Sequence, residues 1–177
     1  MAHPQQFDFV KKVRSLYPNH FWLKKVVEFG SLNLNGTVRD FFSDCDYTGV
    51  DIIEGDGVDV VGYCHEFYKD IDYDVVISCE MLEHDLFYHA SLLRMANLMK
   101  PGGLLIITCA TDGRPEHGTI NHSPADSPAT NGYYKNITIP QIFYCYKGLI
   151  SDGYFDTFHV ELNHESHDLY IYAKRAL

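Results

Sequence analysis

The sequence predicts an α/β fold, a three-layer sandwich whose mostly parallel central sheet ends in an antiparallel hairpin at the C-terminus. Short β-branched runs alternate with segments of helical spacing along the 177 residues. Residues 104–108 are apolar almost throughout, which is typical of a strand covered on both faces by helices. Residues 154–162 and 168–173 are strand candidates joined by a short polar link, and they therefore predict the antiparallel pair.

The first half of the chain supplies one helix and four strands. Residues 7–17 carry apolar side chains at helical spacing and are closed by Pro18, so region 1–24 is predicted to form an N-terminal helix that lies against the domain. Four short runs rich in valine and isoleucine follow, bounded by glycine or acidic residues. They are residues 25–30, 47–53, 58–61 and 73–79.

The second half adds two helices around a long irregular segment. Residues 86–100 share an apolar face and precede Lys100-Pro101-Gly102-Gly103, which predicts a helix and its stop. Residues 110–138 lose all periodicity, and such a length without regular structure is more typical of a lid or substrate loop than of a connector. Residues 139–148, with Pro140 in the first turn, predict the last helix.

Composition indicates a chain that folds alone as a single domain, 1–177. Hydrophobic residues make up 46% and aromatic residues 14%, which is enough to form a core without disulfide bonds. The net charge is −10, and residues 51–90 contain eleven acidic residues against one basic residue. Bulk binding of nucleic acid needs clustered Lys and Arg, so this class of function is disfavoured.

Cysteine usage and hydropathy predict a cytoplasmic protein. The five cysteines are odd in number, widely spaced and without a CxxC pair, which favours free thiols in a reducing compartment. No apolar run approaches the length of about 18 residues that a membrane helix needs, and the first residues are polar, unlike a secretory leader. We therefore expect no membrane partner.

Residues just after the first two strands suggest a ligand site. Gly30 allows a sharp exit from the first strand, and Asn35, Gly36 or Thr37 is placed to cap a following helix. One glycine is much less than a GxGxxG motif, so an ordinary turn explains it equally well. Asp51 ends the second strand about twenty residues beyond that turn, where a carboxylate can accept hydrogen bonds from ribose hydroxyls. Asp51 alone could be an exposed loop acid, but turn and acid together favour an adenosine-type ligand.

Four segments in order resemble motifs of the class I S-adenosylmethionine-dependent methyltransferases. They are residues 26–30, 49–52, 74–84 and 99–105. The most specific part is the Ser-x-Glu-x-x-Glu-His run at 78–84 followed by Lys-Pro-Gly-Gly at 100–103. The resemblance implies a Rossmann-like fold, S-adenosylmethionine as cofactor and S-adenosylhomocysteine as product.

The same resemblance implies a set of cofactor-binding residues. It places Glu28 and Gly30 beside the methionine part, Asp51 on the ribose and Ile52 against the adenine. Two departures stand out: Leu32 and Leu34 replace glycines common in the first motif, and Tyr63 replaces an acid found in many relatives. The full implied set is Glu28, Phe29, Gly30, Ser31, Leu32, Asn35, Gly36, Asp51, Ile52, Tyr63, Cys64, His65, Cys79 and Glu80.

Methyl transfer from a sulfonium is an in-line displacement, so alignment and exclusion of water can supply most of the catalysis. A hydroxyl or amine acceptor can still require a base, for which His84 is the leading candidate and His117 and His122 are alternatives. His84 is equally readable as a residue at a helix start.

The 110–138 segment suggests how an acceptor is held. Arg114 could grip an anionic group, His117 could contact the acceptor, and Tyr133 or Tyr134 could wall the pocket. An ordinary surface loop is the alternative. The spacings of His117 with His122, and of His159, His164 and His167, match no common metal site, so no metal is predicted.

The sequence thus favours a methyltransferase acting on an oxygen or nitrogen atom of a small molecule or of a sugar-like or peptide substrate. A second hypothesis is a non-catalytic subunit of the same fold that binds S-adenosylmethionine or S-adenosylhomocysteine. A third, a nucleotide-dependent oxidoreductase, is disfavoured because the GxGxxG fingerprint is absent.

Overall fold

The computed structural model describes residues 3–68 and 72–177. Within these ranges the chain forms three α-helices around one seven-stranded sheet. The helices are α1 (Pro4–Leu16), α2 (Tyr88–Asn97) and α3 (Ile139–Ser151). The strands are β1 (Lys25–Phe29), β2 (Asp46–Asp51), β3 (Val60–Val61), β4 (Tyr73–Cys79), β5 (Met99–Ala110), β6 (Phe155–Asn163) and β7 (Asp168–Arg175).

The sheet has the order β3-β2-β1-β4-β5-β7-β6. The first five strands in this order are parallel, whereas β7 is antiparallel to both β5 and β6. This arrangement confirms the predicted mostly parallel sheet with its C-terminal antiparallel hairpin. The strand order reverses between β1 and β4, and ligands of open α/β sheets bind outside the carboxyl ends of strands at such a point.

The core lies on both faces of the sheet. Phe9 and Val13 of α1 join Val75 and Ile77 of β4 in one apolar cluster. On the opposite face, α2 and α3 pack against the alternate residues of β4 and β5, for example Val76. Burial on both faces explains why the middle strands are apolar in sequence without alternation.

The helix expected after β1 is short and of the 3₁₀ type. Only a four-residue 3₁₀ helix, Val38–Phe41, stands between β1 and β2, with Thr37 accepting at its N-cap from the Arg39 backbone N–H (3.1 Å). Phe42 leaves the helical path and stacks on Phe21 with ring centroids 4.5 Å apart. Aromatic packing against the core therefore outweighs continued helix formation here.

Other boundaries shift for local reasons. The helix expected over 86–100 is confined to α2, and β5 begins at Met99, which pairs with Tyr73. The glycine-containing run 100–103 forms a bulge inside β5, where Gly102 has φ +74°, so the predicted stop also bends the strand. The last helix extends to Ser151 and starts with a capping box between Thr138 and Gln141.

Residues 111–138 run across the carboxyl end of the sheet. In the described ranges this segment has one 3₁₀ turn, Pro124–Asp126, and no strand or longer helix. Backbone hydrogen bonds tie its ends to the sheet, from Lys135 N–H to the Glu83 carbonyl (2.8 Å) and from Ile137 N–H to the Ala110 carbonyl (2.9 Å). The segment is therefore a tethered loop that covers the sheet edge.

None of the described helices is long and apolar enough to cross a bilayer. All five cysteines are free thiols.

Candidate functional site

A cavity of about 390 Å³ opens at the carboxyl ends of β1, β2 and β4. Its walls come from the turn after β1, the ends of β2 and β4, residues 62–64 and the tethered loop at 126–133. Thirteen of the fourteen residues of the implied cofactor set line it: Glu28, Phe29, Gly30, Ser31, Leu32, Asn35, Gly36, Asp51, Ile52, Tyr63, Cys64, Cys79 and Glu80. His65 does not line it, and its ring packs on Phe87 with centroids 4.4 Å apart.

Asp51 is held in the cavity wall by two backbone N–H groups. One carboxylate oxygen accepts from the Leu32 N–H (3.1 Å) and the other from the Ile52 N–H (2.7 Å). Burial raises the pKa of this carboxyl, while the backbone hydrogen bonds act in the opposite direction. Each oxygen can accept a second hydrogen bond, so the carboxylate stays competent to bind a ligand hydroxyl.

The turn after β1 is fixed by close packing. Gly30 has φ +79°, and a Cβ at this position would lie 2.6 Å from Cβ of Met81. Glycine is therefore required for the turn to pass against the end of β4. Leu32, which stands where many relatives have glycine, lines the cavity instead.

The cavity is rich in hydrogen-bond acceptors. Glu28 is 5% exposed and accepts from the Tyr47 hydroxyl (2.9 Å), and burial raises the pKa of its carboxyl to about 7. The buried Oγ of Ser31 has no hydrogen-bond partner among the described residues, and Glu80 has only an ion pair between its Oε2 and Nε2 of His3 (3.6 Å). Glu80 also has φ +53°, a conformation uncommon outside glycine that is found at functional sites.

Charge in the cavity has one sign. Every charged lining side chain is a carboxylate, and no Lys or Arg is found among the described residues that form the wall. Such a lining favours a cationic ligand and opposes a dinucleotide phosphate. The five carboxylates are Glu28, Asp51, Glu80, Asp85 and Asp126.

His84 stands where β4 and the tethered loop meet. It ends the 3₁₀ turn Leu82–His84, lines the cavity, and faces the rings of His117 (centroids 5.1 Å apart) and Tyr134 (5.5 Å). Gly118 has φ +63°, and a Cβ there would lie 2.6 Å from Cε1 of His84. The loop thus reaches His84 only because residue 118 is glycine.

The environment of His84 keeps its imidazole neutral. Burial, together with the neighbouring His117, lowers the pKa of His84 to about 3. Both ring nitrogens are buried and have no hydrogen-bond partner in the part of the chain that the structure describes. A neutral ring with this pKa is a weak proton acceptor, but its lone pair is available for bonding.

The residues predicted to bind the acceptor do not all lie at the cavity. Tyr133 lines the cavity, whereas His117 and Tyr134 lie behind His84. Arg114 points elsewhere: its guanidinium donates to the Ser166 carbonyl (2.6 Å) and to Asp168 (3.2 Å). This ion pair gives no support to the expectation that Arg114 grips an anionic group in the cavity.

Some wall residues were missed by sequence reasoning. Leu86 and Phe87 fall in the helix predicted over 86–100, but in the structure they precede α2 and line the cavity. Gln6 comes from α1 and is 2% exposed. In the sequence, Gln6 is a polar residue beside the apolar face of the first helix. The periodicity of that helix does not indicate that Gln6 contacts a distant site.

Comparisons with known proteins agree with this geometry at the level of the fold. No protein-family model matches the sequence, and no curated protein sequence matches it. Solved structures do match. One is the 1,6-didemethyltoxoflavin N1-methyltransferase of Burkholderia thailandensis with bound 1,6-didemethyltoxoflavin and S-adenosylhomocysteine, at 16% identity and TM-score 0.61, covering 100% of this chain and 92% of that one.

Two further structures extend the comparison. Phosphoethanolamine N-methyltransferase 2 of Haemonchus contortus, in complex with S-adenosyl-L-methionine, matches at 15% identity and TM-score 0.67 over 98% of this chain, which spans about half (52%) of that protein. The N-methyltransferase NodS of Bradyrhizobium japonicum matches at 10% identity and TM-score 0.57, covering 96% and 98% of the two chains. The chain therefore has the fold of the class I S-adenosylmethionine-dependent methyltransferases.

Proposed function

We propose that the protein is an S-adenosylmethionine-dependent methyltransferase that methylates an oxygen or nitrogen atom of a small molecule. The observation that carries this proposal is the cavity at the point where strand order reverses, with Asp51 fixed in its wall and only carboxylates as charged groups. A cytoplasmic location and a fold of one domain remain predictions.

The lining fits S-adenosylmethionine. The volume of about 390 Å³ falls in the range of roughly 300 to 1,000 Å³ that is usual for small-ligand sites. Asp51 would accept from the ribose hydroxyls, and Ile52 would lie on the adenine. Glu28, Glu80 and the Ser31 hydroxyl offer acceptors for the ammonium end and a negative field for the sulfonium.

When bound, the cofactor supplies a methyl group activated by the sulfonium. The chain contributes alignment and exclusion of water, since residues 126–133 of the tethered loop form one wall of the same cavity. Tyr133, Leu86 and Phe87 give that wall an apolar and aromatic character. It therefore suits a small acceptor without a strong negative charge, delivered to a site shielded by the loop.

The role of His84 as a general base stays a proposal. Its position in the cavity wall fits the role, but a pKa of about 3 makes it a weak base in the free protein. Alignment alone is sufficient for acceptors that are already nucleophilic, such as a neutral amine.

The test of cofactor binding is Asp51→Ala. Loss of the ribose hydrogen bonds should weaken S-adenosylmethionine and S-adenosylhomocysteine binding by about 1.5 to 3 kcal/mol, measured by calorimetry. Glu54→Ala is the matched control, because Glu54 is an exposed acid in the loop after β2. Equal affinity of the wild type and a folded Asp51→Ala variant would contradict the assignment.

Turnover separates the enzyme from the non-catalytic alternative. Incubation with methyl-labelled S-adenosylmethionine and a metabolite extract should label a small acceptor. Firm cofactor binding without any labelled product would favour the binding subunit, and tight nicotinamide binding without S-adenosylmethionine binding would favour the oxidoreductase.

A further inference from the structure

Glu83, His84 and His117 form a compact cluster behind the cavity. One carboxylate oxygen and one nitrogen from each ring lie within 4.8 Å of one another. Glu83 and His84 follow β4, whereas His117 is brought from the tethered loop. The fold thus brings His117 to two residues that precede it in the chain by 33 and 34 positions.

The donor atoms of Glu83 and His84 have no partner in the protein. Glu83 is 0% exposed and His84 7%, and none of their side-chain oxygens or nitrogens has a hydrogen-bond partner among the described residues. A buried carboxylate normally has a counter-charge or several donors, because its desolvation is costly. Glu83 and His84 therefore hold buried lone pairs that are free to bind a cation.

His117 is oriented as a ligand would be. Its Nδ1 lies 3.1 Å from the Pro115 carbonyl oxygen, which can only accept, so Nδ1 carries the proton. Its Nε2 consequently holds a lone pair, and this atom is buried and unpartnered in the described structure. A ring N–H donated to a backbone carbonyl is the usual support of a metal-binding histidine.

Among the described residues, the basic side chains near the cluster pair with groups other than Glu83. Arg114 pairs with Asp168 at 3.2 Å, and the Lys135 ammonium lies 3.3 Å from the Tyr88 hydroxyl. Glu80, three residues before Glu83, adds negative charge to the same region. The local balance around the cluster is therefore acidic.

We infer that Glu83, His84 and His117 bind one divalent transition-metal ion. Two imidazole nitrogens and one carboxylate oxygen are the donor set of many catalytic zinc and non-haem iron sites, and they suit first-row ions better than Mg²⁺ or Ca²⁺. Bond lengths of about 2.0 to 2.2 Å require the donor atoms to approach one another by side-chain rotation. The inference depends on these three residues and not on methyl transfer.

An ion at this place would adjoin the cavity, since His84 belongs to both. Three protein ligands leave room for water or for an oxygen atom of a ligand, whose pKa a divalent metal lowers. If the proposed methyl transfer is correct, a hydroxyl acceptor could then be activated without a protein base. The ion would also link the tethered loop to the end of β4.

Metal titration of the full chain tests the site. After treatment with a chelator, Zn²⁺ should bind with a one-to-one stoichiometry by calorimetry, and Co²⁺ should give visible absorption that Zn²⁺ abolishes. Mg²⁺ at the same concentration should produce neither signal. Absence of saturable Zn²⁺ and Co²⁺ binding, or equally tight Mg²⁺ binding, would overturn the inference.

Two variants and a control locate the ion. Glu83→Gln and His117→Ala should each weaken Zn²⁺ binding by about tenfold or more. His122→Ala is the matched control, because His122 lies in the same loop but has a 60% exposed side chain paired with Glu116. Unchanged affinity in both cluster variants, or an equal loss in His122→Ala, would place the ion elsewhere.

Nuclear magnetic resonance of the wild-type protein tests the site without relying on variants, which could fail to fold. Among the ten histidines, Zn²⁺ should shift the ring nitrogens of His84 and His117. Shifts confined to exposed histidines such as His122 would contradict the site even if Zn²⁺ binds. Because the readout is metal binding, its failure is distinguishable from failure of S-adenosylmethionine binding.

Discussion

Two buried clusters at the carboxyl edge of the sheet contain similar residues and differ in their charge balance. In the paired cluster, His3, Glu80 and Asp168, the His3 Nε2 lies 3.0 Å from Asp168 and 3.6 Å from Glu80, and Arg114 adds a second cation at 3.2 Å from Asp168. In the open cluster, Glu83, His84 and His117, the carboxylate has no cation within the described structure and the rings stay neutral. The first holds elements together; the second has donor atoms left over for a ligand.

The pKa values of the side chains also differ between the paired cluster and the open cluster. Burial alone would lower the pKa of His3, but the adjacent carboxylates of Asp168 and Glu80 raise it to about 9. Burial opposes ionisation of Asp168 as well, yet His3 and Arg114 keep its pKa below the usual value. In the open cluster, burial and the nearby Glu80 raise the pKa of Glu83. Partner groups, and not residue type, therefore decide which charges are stabilised.

The largest effect is expected from breaking the paired cluster with Asp168→Asn. Asp168 is 0% exposed, and its loss leaves His3 and Arg114 without their counter-charge. The free energy of unfolding should fall by about 3 to 5 kcal/mol in urea denaturation.

Glu83→Gln is the contrasting substitution in the open cluster. In metal-free protein it replaces a buried carboxyl group that has no hydrogen-bond partner in the described structure and whose pKa is raised by burial, so the free energy of unfolding should stay within about 1 kcal/mol of wild type or rise. Similar large losses in both variants would show that the two clusters do not differ as described.

The next largest effect is the pH dependence that His3 gives to the free energy of unfolding. Its folded pKa of about 9 exceeds the unfolded value, so its stabilisation is complete below pH 6.5 and is lost as pH rises through 9. His3→Gln should therefore cost about 2 kcal/mol at pH 6, after allowance for partial exposure, and little at pH 10. Unfolding free energies of both proteins across this range check it, and a pH-independent difference would refute the charged pair.

A smaller loss than those of Asp168→Asn and His3→Gln is expected from Gly118→Ala, which loosens the open cluster. The new Cβ would meet His84 at 2.6 Å and Ser127 at 2.8 Å, in a backbone with φ +63°. Stability should fall by about 1 to 2 kcal/mol, and Zn²⁺ affinity should fall with it.

Gly132→Ala is the control for this substitution, because a Cβ there would meet nothing within 4 Å in the same loop. Equal thermal midpoints for the two alanine variants would show that the loop does not rest on His84.

Sequence patterns predicted the cavity wall better than the loop that covers it. Asp51 and Gly30 belong to short segments in which strand, turn and ligand-facing residue follow one another, so their positions relative to the sheet edge are set locally. The tethered loop has no periodicity, so residue type is the only basis for predicting what its side chains contact. Arg114 is an example. Its residue type suits anion binding in the cavity, but its guanidinium pairs with Asp168, 54 residues away in the chain.

The sequence by itself determined the succession of strands along the chain, the mostly parallel sheet and the acid that closes β2, because alternation, apolar runs and turn residues act over a few positions. The tertiary structure alone decided that His117 meets Glu83 and His84, that Arg114 is neutralised by Asp168, and that the segment after β1 forms only one 3₁₀ turn. Those contacts depend on the path of a loop across the sheet and on packing between distant elements, and no local pattern encodes either.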